Sequence, residues 1–236
     1  MNNLKSDKKA SVTTMFNSIA GSYDFLNHFL SFGIDRMWRR RAVRIISGAY
    51  KNPKILDVAT GTGDLSIAAM KAEPVSITGI DISDGMLEIG RNKIKRKGLS
   101  DRIQLIKGDS ENMPFNDSTF DVAMVAFGVR NFPDPLKGLS EMTRVVRAGG
   151  MVLVLEFSKP SRFPIRHLYN LYFLRMLPLI GRIFSGNREA YRYLPESVMQ
   201  FPDNEKFIDL MNKAGLNQIQ QIRLTSGVAS IYTGLK

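Results

Sequence analysis

The sequence predicts an α/β protein, a doubly wound and mostly parallel sheet of seven strands closed by an antiparallel hairpin at its C-terminal end. Three observations predict it. Strand-like apolar runs alternate with helix-like stretches through the middle of the chain, the order that gives a parallel sheet with helices on both faces. The run Asp57-Val58-Ala59-Thr60-Gly61-Thr62-Gly63-Asp64 stands where the first strand should turn into the first helix. Two further strand-like runs lie near the end of the sequence, separated only by the short turn 225–227.

The elements follow in order. Strands are predicted at 54–59, 75–82, 103–108, 120–127 and 151–157, and helices at 64–72, 83–97 and 135–147. Ser83 caps the second helix, because its hydroxyl can accept from an exposed N–H of the first turn, and Gly98 stops it. A helix-rich insert over 163–184 precedes a helix at 203–214 that ends at Gly215. The closing runs 218–224 and 228–233 should pair as an antiparallel hairpin at the sheet edge. A chain of 236 residues can bury one sizeable core. One domain over 1–236 is expected, with 1–50 as an N-terminal helical cap and 160–194 as a helical lid.

Composition excludes several chemistries. There is no cysteine, which removes disulfides, thiolate nucleophiles and cysteine-bound zinc. His28 and His167, the two histidines, cannot form a metal cluster alone, so no metal site is expected. Residues 1–11 are polar and lysine-containing, unlike a secretory signal, which points to the cytoplasm. The most apolar run, 168–180, is interrupted by Asn170, Arg175 and Pro178 and is too short to cross a bilayer.

The net charge of +11 is unevenly spread: +1 over 1–34, +6 over 35–54, −2 over 55–156, +6 over 157–193 and 0 over 194–236. The basic flanks around a near-neutral centre should meet something anionic.

Glycines in the first turn let the backbone bend sharply and approach a ligand. A dinucleotide fingerprint would place a small residue where Ser66 stands and leave the helix N-terminus open for pyrophosphate. Here Asp64 puts a carboxylate near that spot. S-adenosylmethionine (SAM) carries no phosphate but has a positive sulfonium and ammonium, so Asp57 and Asp64 would attract it. Asp81, ending the second strand in Gly79-Ile80-Asp81, can accept from both ribose hydroxyls of an adenosine ligand. Asp109, in Gly108-Asp109-Ser110 after the third strand, could accept from an adenine amino group, with the apolar Met113-Pro114-Phe115 close by to sandwich the ring. Three acids at the carboxyl ends of three successive strands lie where open α/β sheets bind ligands.

At this point the chain resembles the ubiquinone/menaquinone biosynthesis C-methyltransferases, the demethylmenaquinone methyltransferase group. The likeness runs almost end to end. It is carried by Met15-Phe16-Asn17-Ser18-Ile19-Ala20, Tyr23-Asp24, Trp38-Arg39, Leu56-Asp57 and Gly61-Thr62-Gly63-Asp64. More specific are Phe127-Gly128-Val129-Arg130-Asn131, Leu155-Glu156-Phe157-Ser158 and Tyr191-Arg192-Tyr193-Leu194.

The resemblance implies the Rossmann-like, seven-stranded class I fold of SAM-dependent methyltransferases, SAM as cofactor, and cofactor contacts from Thr62, Asp81, Asp109 and Ser110. With the residue reading, the expected cofactor set is Asp57, Gly61, Thr62, Gly63, Asp81, Asp109 and Ser110. Two departures stand out: Ser110 replaces the alanine of many relatives, and Ala126 the serine of some. No side-chain hydrogen bond is therefore available at 126, and Ser110 would serve through its backbone.

The resemblance further implies methyl transfer to a ring carbon of a polyprenylated quinol precursor, demethylmenaquinol or its benzoquinol counterpart. The ring carbon becomes nucleophilic when a ring hydroxyl loses its proton. Arg130 leads the catalytic candidates as a fixed cation that would stabilise the developing phenolate. Asp24, His28, Glu156 and Tyr191 are further candidates for accepting the proton or placing the ring. The basic flanks, with Phe163, Tyr169, Tyr172, Phe173, Leu174 and Leu177 of the insert, suggest peripheral contact with the anionic inner face of the cytoplasmic membrane. Alternatively, that insert is a self-packed or homodimer-forming cap. Two other functions stay open. An RNA methyltransferase would explain the basic balance, but Ala126-Phe127-Gly128 replaces the Pro-Pro-aromatic run that grips a flipped base, so no nucleic-acid partner is expected. A non-catalytic SAM-binding module would not need Arg130, Asn131 and Glu156.

Overall fold

The computed structural model describes residues 2–31, 33–160, 163–171 and 188–236. Seven strands form one sheet: β1 (Lys54–Val58), β2 (Ser76–Asp81), β3 (Ile103–Lys107), β4 (Phe120–Ala126), β5 (Val146–Phe157), β6 (Asn217–Leu224) and β7 (Ala229–Leu235). They lie in the order β3-β2-β1-β4-β5-β7-β6. The first five pair in parallel, while β7 runs antiparallel between β5 and β6. The terminal hairpin therefore forms as the sequence predicts, with β6 as the outer edge. After β3 the chain returns to lay β4 beside β1, and this reversal opens a crevice at the carboxyl ends of the central strands.

The helices are α1 (Asn2–Leu30), α2 (Ile34–Ala49), α3 (Asp64–Ala69), α4 (Asp84–Arg96), α5 (Pro135–Val145), α6 (Ile165–Leu171), α7 (Arg188–Gln200) and α8 (Glu205–Lys213). Alternate residues of each strand point to opposite faces, and both faces are covered. Ile55, Val122, Met124 and Leu153 pack with Ile46 of α2, Leu65 of α3 and Leu87 of α4. Their neighbours Leu56, Ala123, Val125 and Val152 pack with Leu139 of α5 and Phe207 of α8. Trp38 of α2 is buried and donates its indole N–H to Thr225 at 2.8 Å, tying α2 to the hairpin turn.

Local signals act as expected at α4. Ser83 accepts from the Met86 N–H at 3.2 Å, and Gly98 takes the left-handed conformation that ends the helix (φ +66°). The junction of α5 and β5 differs from the sequence reading, which placed a helix to 147 and a strand from 151. Val146 is already extended, and Phe120 pairs with it. Gly149 and Gly150 exchange hydrogen bonds with Lys236. Neighbouring strands thus recruit residues that local pattern assigned to a helix end.

The insert is described only in part. Tyr172, Phe173, Leu174 and Leu177 lie outside the described residues. Phe163 is 80% exposed, but Tyr169 is buried beside Phe157, Leu194 and Val228, so it packs inward and is not available as a membrane contact. Among the described residues no helix is long and apolar enough to cross a membrane.

The close fit of α4 to the first turn depends on Gly90. A Cβ there would come within 2.6 Å of Leu105 Cδ1 and 3.0 Å of the Thr62 carbonyl carbon. Gly90→Ala should therefore lower unfolding stability by roughly 1–3 kcal/mol through overpacking. Gly21→Ala, in the exposed middle of α1 with open space around it, should raise stability by about 0.5–1 kcal/mol. Urea unfolding of the two variants checks both signs.

Candidate active site

The turn after β1 is built from three successive residues, each held by a different acid. Thr60 donates its hydroxyl to Asp57 at 2.7 Å, and Ser66 of α3 adds a second bond to the same oxygen at 2.6 Å. Gly61 donates its N–H to Asp81 at 2.9 Å. Thr62 donates its hydroxyl to Asp24 of α1 at 2.5 Å. Gly61 and Gly63 have positive φ angles of 56° and 79°, which let the backbone reverse between these anchors.

A cleft opens beside the turn. Asp81 and Asp109 supply its acids, together with Gly61, Ser110 and Asn131. Its apolar walls are Val12, Phe16, Ile80, Met86 and Phe132. Met113 and Phe115 are not among them. Met113 is buried in the core and Phe115 stacks edge-on against Phe120 at 5.1 Å, while the apolar side chains that line the cleft come from α1, β2, α4 and Phe132.

The acids differ in state. Asp57 is fully buried, and burial pushes its carboxyl up to about 6 against the hydroxyl bonds from Ser66 and Thr60 and the charge of Arg39. It lies behind the turn in a smaller cavity with Arg39, Thr62 and Asp64. Asp81 is also raised by burial, with the backbone N–H groups of Ser83, Gly61 and Ile82 opposing the shift. The Ser83 N–H bonds its Oδ1 and the Gly61 N–H its Oδ2, one on each oxygen, which leaves acceptor capacity for a ligand diol. At Asp109 burial works upward, but the hydrogen bonds from Lys9 and the Glu111 N–H, with the charges of Lys9 and Lys137, outweigh it and hold the carboxyl low. Asp64 does not stand open to a cationic ligand as expected, because Lys93 bonds it at 2.7 Å.

Arg130 and Glu156, read from the sequence as separate candidates, form one buried ion pair at 2.8 Å. Their side chains are 7% and 1% exposed. Glu156 also accepts from the Phe157 N–H at 2.9 Å, and Arg130 donates to the Phe127 carbonyl and lies over the Phe157 ring. The arginine is thus a fixed but charge-compensated group. Its Nε is buried without a hydrogen-bond partner among the described residues. Arg130 lines a second cavity with Lys8, Tyr193, Ser197 and Phe201, while the adjacent Asn131 lines the first.

The remaining candidates divide. Asp24 is drawn to the turn, bonded to Thr62 and Lys93. The backbones of His28 and Tyr191 lie in α1 and α7, and their side chains lie outside what the structure describes. Sequence reasoning missed Lys9, Val12 and Phe16 of the cleft, and Tyr193, which donates to Asn131 at 3.0 Å. A signal existed in α1, where Val12, Phe16 and Ala20 recur every four residues as an apolar stripe.

The family model described as the ubiE/COQ5 methyltransferase family matches residues 1–236. A protein named demethylmenaquinone methyltransferase from Bacteroides fragilis is 43% identical over 97% of this chain and 94% of its own length. One named ubiquinone/menaquinone biosynthesis C-methyltransferase UbiE, from Geotalea daltonii, is 48% identical over 98% of each. Among solved structures, a SAM-dependent methyltransferase from Aquifex aeolicus superposes with a TM-score of 0.61 at 18% identity, covering 83% of this chain and 88% of that one. That likeness shows the fold.

The state of Asp57 has a measurable consequence. Its carboxyl titrates near 6 in the folded chain and near the ordinary 3.8 when unfolded. The folded chain therefore binds the proton first, and this stabilisation, present at low pH, is lost as pH rises through about 6. Between pH 4 and 7 the wild type should lose roughly 2–3 kcal/mol relative to Asp57→Asn. Denaturant unfolding of both proteins across that range checks it; parallel pH profiles would contradict it.

Proposed function

The chain belongs to the ubiE/COQ5 methyltransferase family, and on that footing we propose that it methylates a ring carbon of a polyprenylated quinol, converting demethylmenaquinol to menaquinol. The cofactor is S-adenosylmethionine, which when bound supplies a methyl group made electrophilic by its sulfonium. The cleft suits such a ligand. Asp81 retains acceptor capacity for a ribose diol, and the cleft's lysine, Lys9, is already engaged by Asp109. A phosphate would find acids at the rim and no uncommitted cation among the cleft-lining residues.

The observation that carries the reading is the division made by the turn Val129–Asn131. Asn131 faces the cofactor cleft and Arg130 the neighbouring cavity. A quinol ring in that second cavity would lie beside the cofactor, and orientation with exclusion of water is most of what direct methyl transfer requires. A ring hydroxyl with a pKa of roughly 10 is mostly neutral at pH 7, so its ionised form needs support. Arg130, at the wall of that cavity, gives it as a hydrogen-bond donor. Glu156, bonded to Arg130 and to the Phe157 N–H, orients that guanidinium. Asp24, committed to Thr62 and Lys93, holds α1 over the turn.

The acceptor is a membrane lipid, and α2 offers the surface to reach it. One face of α2 is buried through Trp38, Ala42 and Ile46; the other exposes Arg36, Arg40, Arg41 and Arg44, with Met37 57% exposed. Four guanidiniums along one exposed face would attract anionic headgroups while leaving the fold soluble between encounters.

Incubation with labelled SAM and prenylated demethylquinols, followed by mass spectrometry of the lipid, should place the methyl on the ring; label in added RNA and none in lipid would overturn the assignment. Asp81→Ala should lose most cofactor binding by calorimetry. Arg130→Lys, which keeps the charge but not the planar fork, should bind SAM normally and turn over about 10²-fold more slowly. In liposome flotation, recovery should rise with anionic lipid and fall when Arg36, Arg40, Arg41 and Arg44 become glutamine. Equal recovery with neutral and anionic vesicles would remove the electrostatic contact.

A further inference from the structure

Of the three anchors of the turn after β1, the one at Thr62 contains a cation. Lys93 of α4 directs its ammonium to Asp24 Oδ2 at 2.5 Å, Asp64 Oδ1 at 2.7 Å and Thr62 Oγ1 at 3.1 Å. An ammonium has three N–H donors, and all three are used. The partners come from α1, from the first turn of α3 and from the turn itself, so one side chain joins four segments. Lys93 is 21% exposed, and its two acids are 30% and 24% exposed, which places the cluster at the edge of the fold. It lines neither the cofactor cleft nor the cavity beside Arg130.

We propose that Lys93 is a positioning residue for cofactor binding: its ammonium clamps the N-terminal helix onto the Thr62 turn and so sets S-adenosylmethionine affinity from outside the cleft. The inference rests on the cofactor assignment above. Its physical basis is charge balance. Asp24 and Asp64 both lie within hydrogen-bond distance of one nitrogen, so removing the cation leaves two carboxylates facing each other across Thr62. The segment released is α1, which is also held by Lys8 to the Phe132 carbonyl, by Lys9 to Asp109, and by Asn17 to Ser83 and the Gly85 N–H. Released at Asp24, α1 loosens its Val12 and Phe16 walls over the cleft, and the Thr62 hydroxyl loses both its orienting partners. Arg130 and Glu156 are untouched, because their bonds involve neither α1 nor α4. The effect should fall on cofactor affinity and spare the chemical step.

The test is S-adenosylmethionine titration by calorimetry together with steady-state kinetics on the full chain. Lys93→Met should raise the Kd and the KM for SAM about tenfold, equivalent to about 1.4 kcal/mol, while kcat at saturating SAM stays within about threefold. Lys93→Arg, which restores a cation with several donors, should recover most of the affinity. Lys95→Met, on the exposed side of the same helix, should leave both constants unchanged and so controls for net charge. Should the methionine variant fail to fold, Lys93→Gln, which keeps a donor to Thr62 without the charge, should give the same direction of change. An unchanged Kd in Lys93→Met or Lys93→Gln, or a fall in kcat with Kd unaltered, overturns the proposal. A wild-type chain that does not bind SAM at all overturns the cofactor assignment itself, a result distinct from either.

Discussion

Three carboxylates bond three consecutive residues of one turn, Asp57 to Thr60, Asp81 to Gly61 and Asp24 to Thr62, and the geometry of the whole site follows from that constraint. Two of the acids stand at the carboxyl ends of adjacent parallel strands, where burying charge is costly unless it is hydrogen-bonded. The turn supplies the missing donors, and the acids in return fix a backbone that must curl through two positive-φ glycines. The sheet topology makes the arrangement useful, because the return of the chain from β3 to β4 opens the crevice beside this turn.

The same economy of charge runs through the rest of the rim. Asp64 and Asp109 are matched by lysines, and Glu156 by Arg130. Asp81 is held by backbone N–H groups alone, so its charge is the least compensated in the cleft. An adenosine ligand with a sulfonium, carrying hydroxyls to donate and no phosphate to repel, complements that remainder. The Arg130 and Glu156 pair serves a different end. As a buried unit close to neutrality it costs less than a lone cation would, and it presents an oriented donor at a fixed place.

The sheet was legible because its cues are local and repeated: apolar runs buried on both faces, a Ser83 cap, a Gly98 stop and a short turn before β7. The start of β5 was not, since Val146 is extended through pairing with Phe120, a partner remote in sequence. The acids at the strand ends were also legible, as their placement follows from the strands. Their partners were not. Lys9, Lys93 and Arg130 reach their carboxylates across 100, 29 and 26 residues, and nothing in composition or spacing tells a committed acid from an open one. Met113 and Phe115 illustrate the same limit, since apolar residues next to a site motif are as readily drawn into the core as into a ligand wall.

Cofactor binding in the cleft between α1 and the strand ends requires Asp81 and Asp109 to face the adenosine. The most direct measurement is a crystal structure of the complex with S-adenosylmethionine. It should show both ribose hydroxyls donating to Asp81, the adenine enclosed by Phe16, Met86 and Phe132 with its amino group toward Asp109, and the methyl directed past Asn131 to the Arg130 cavity. A cofactor bound outside this cleft, or with Asp81 bonded only to protein and water, would contradict it.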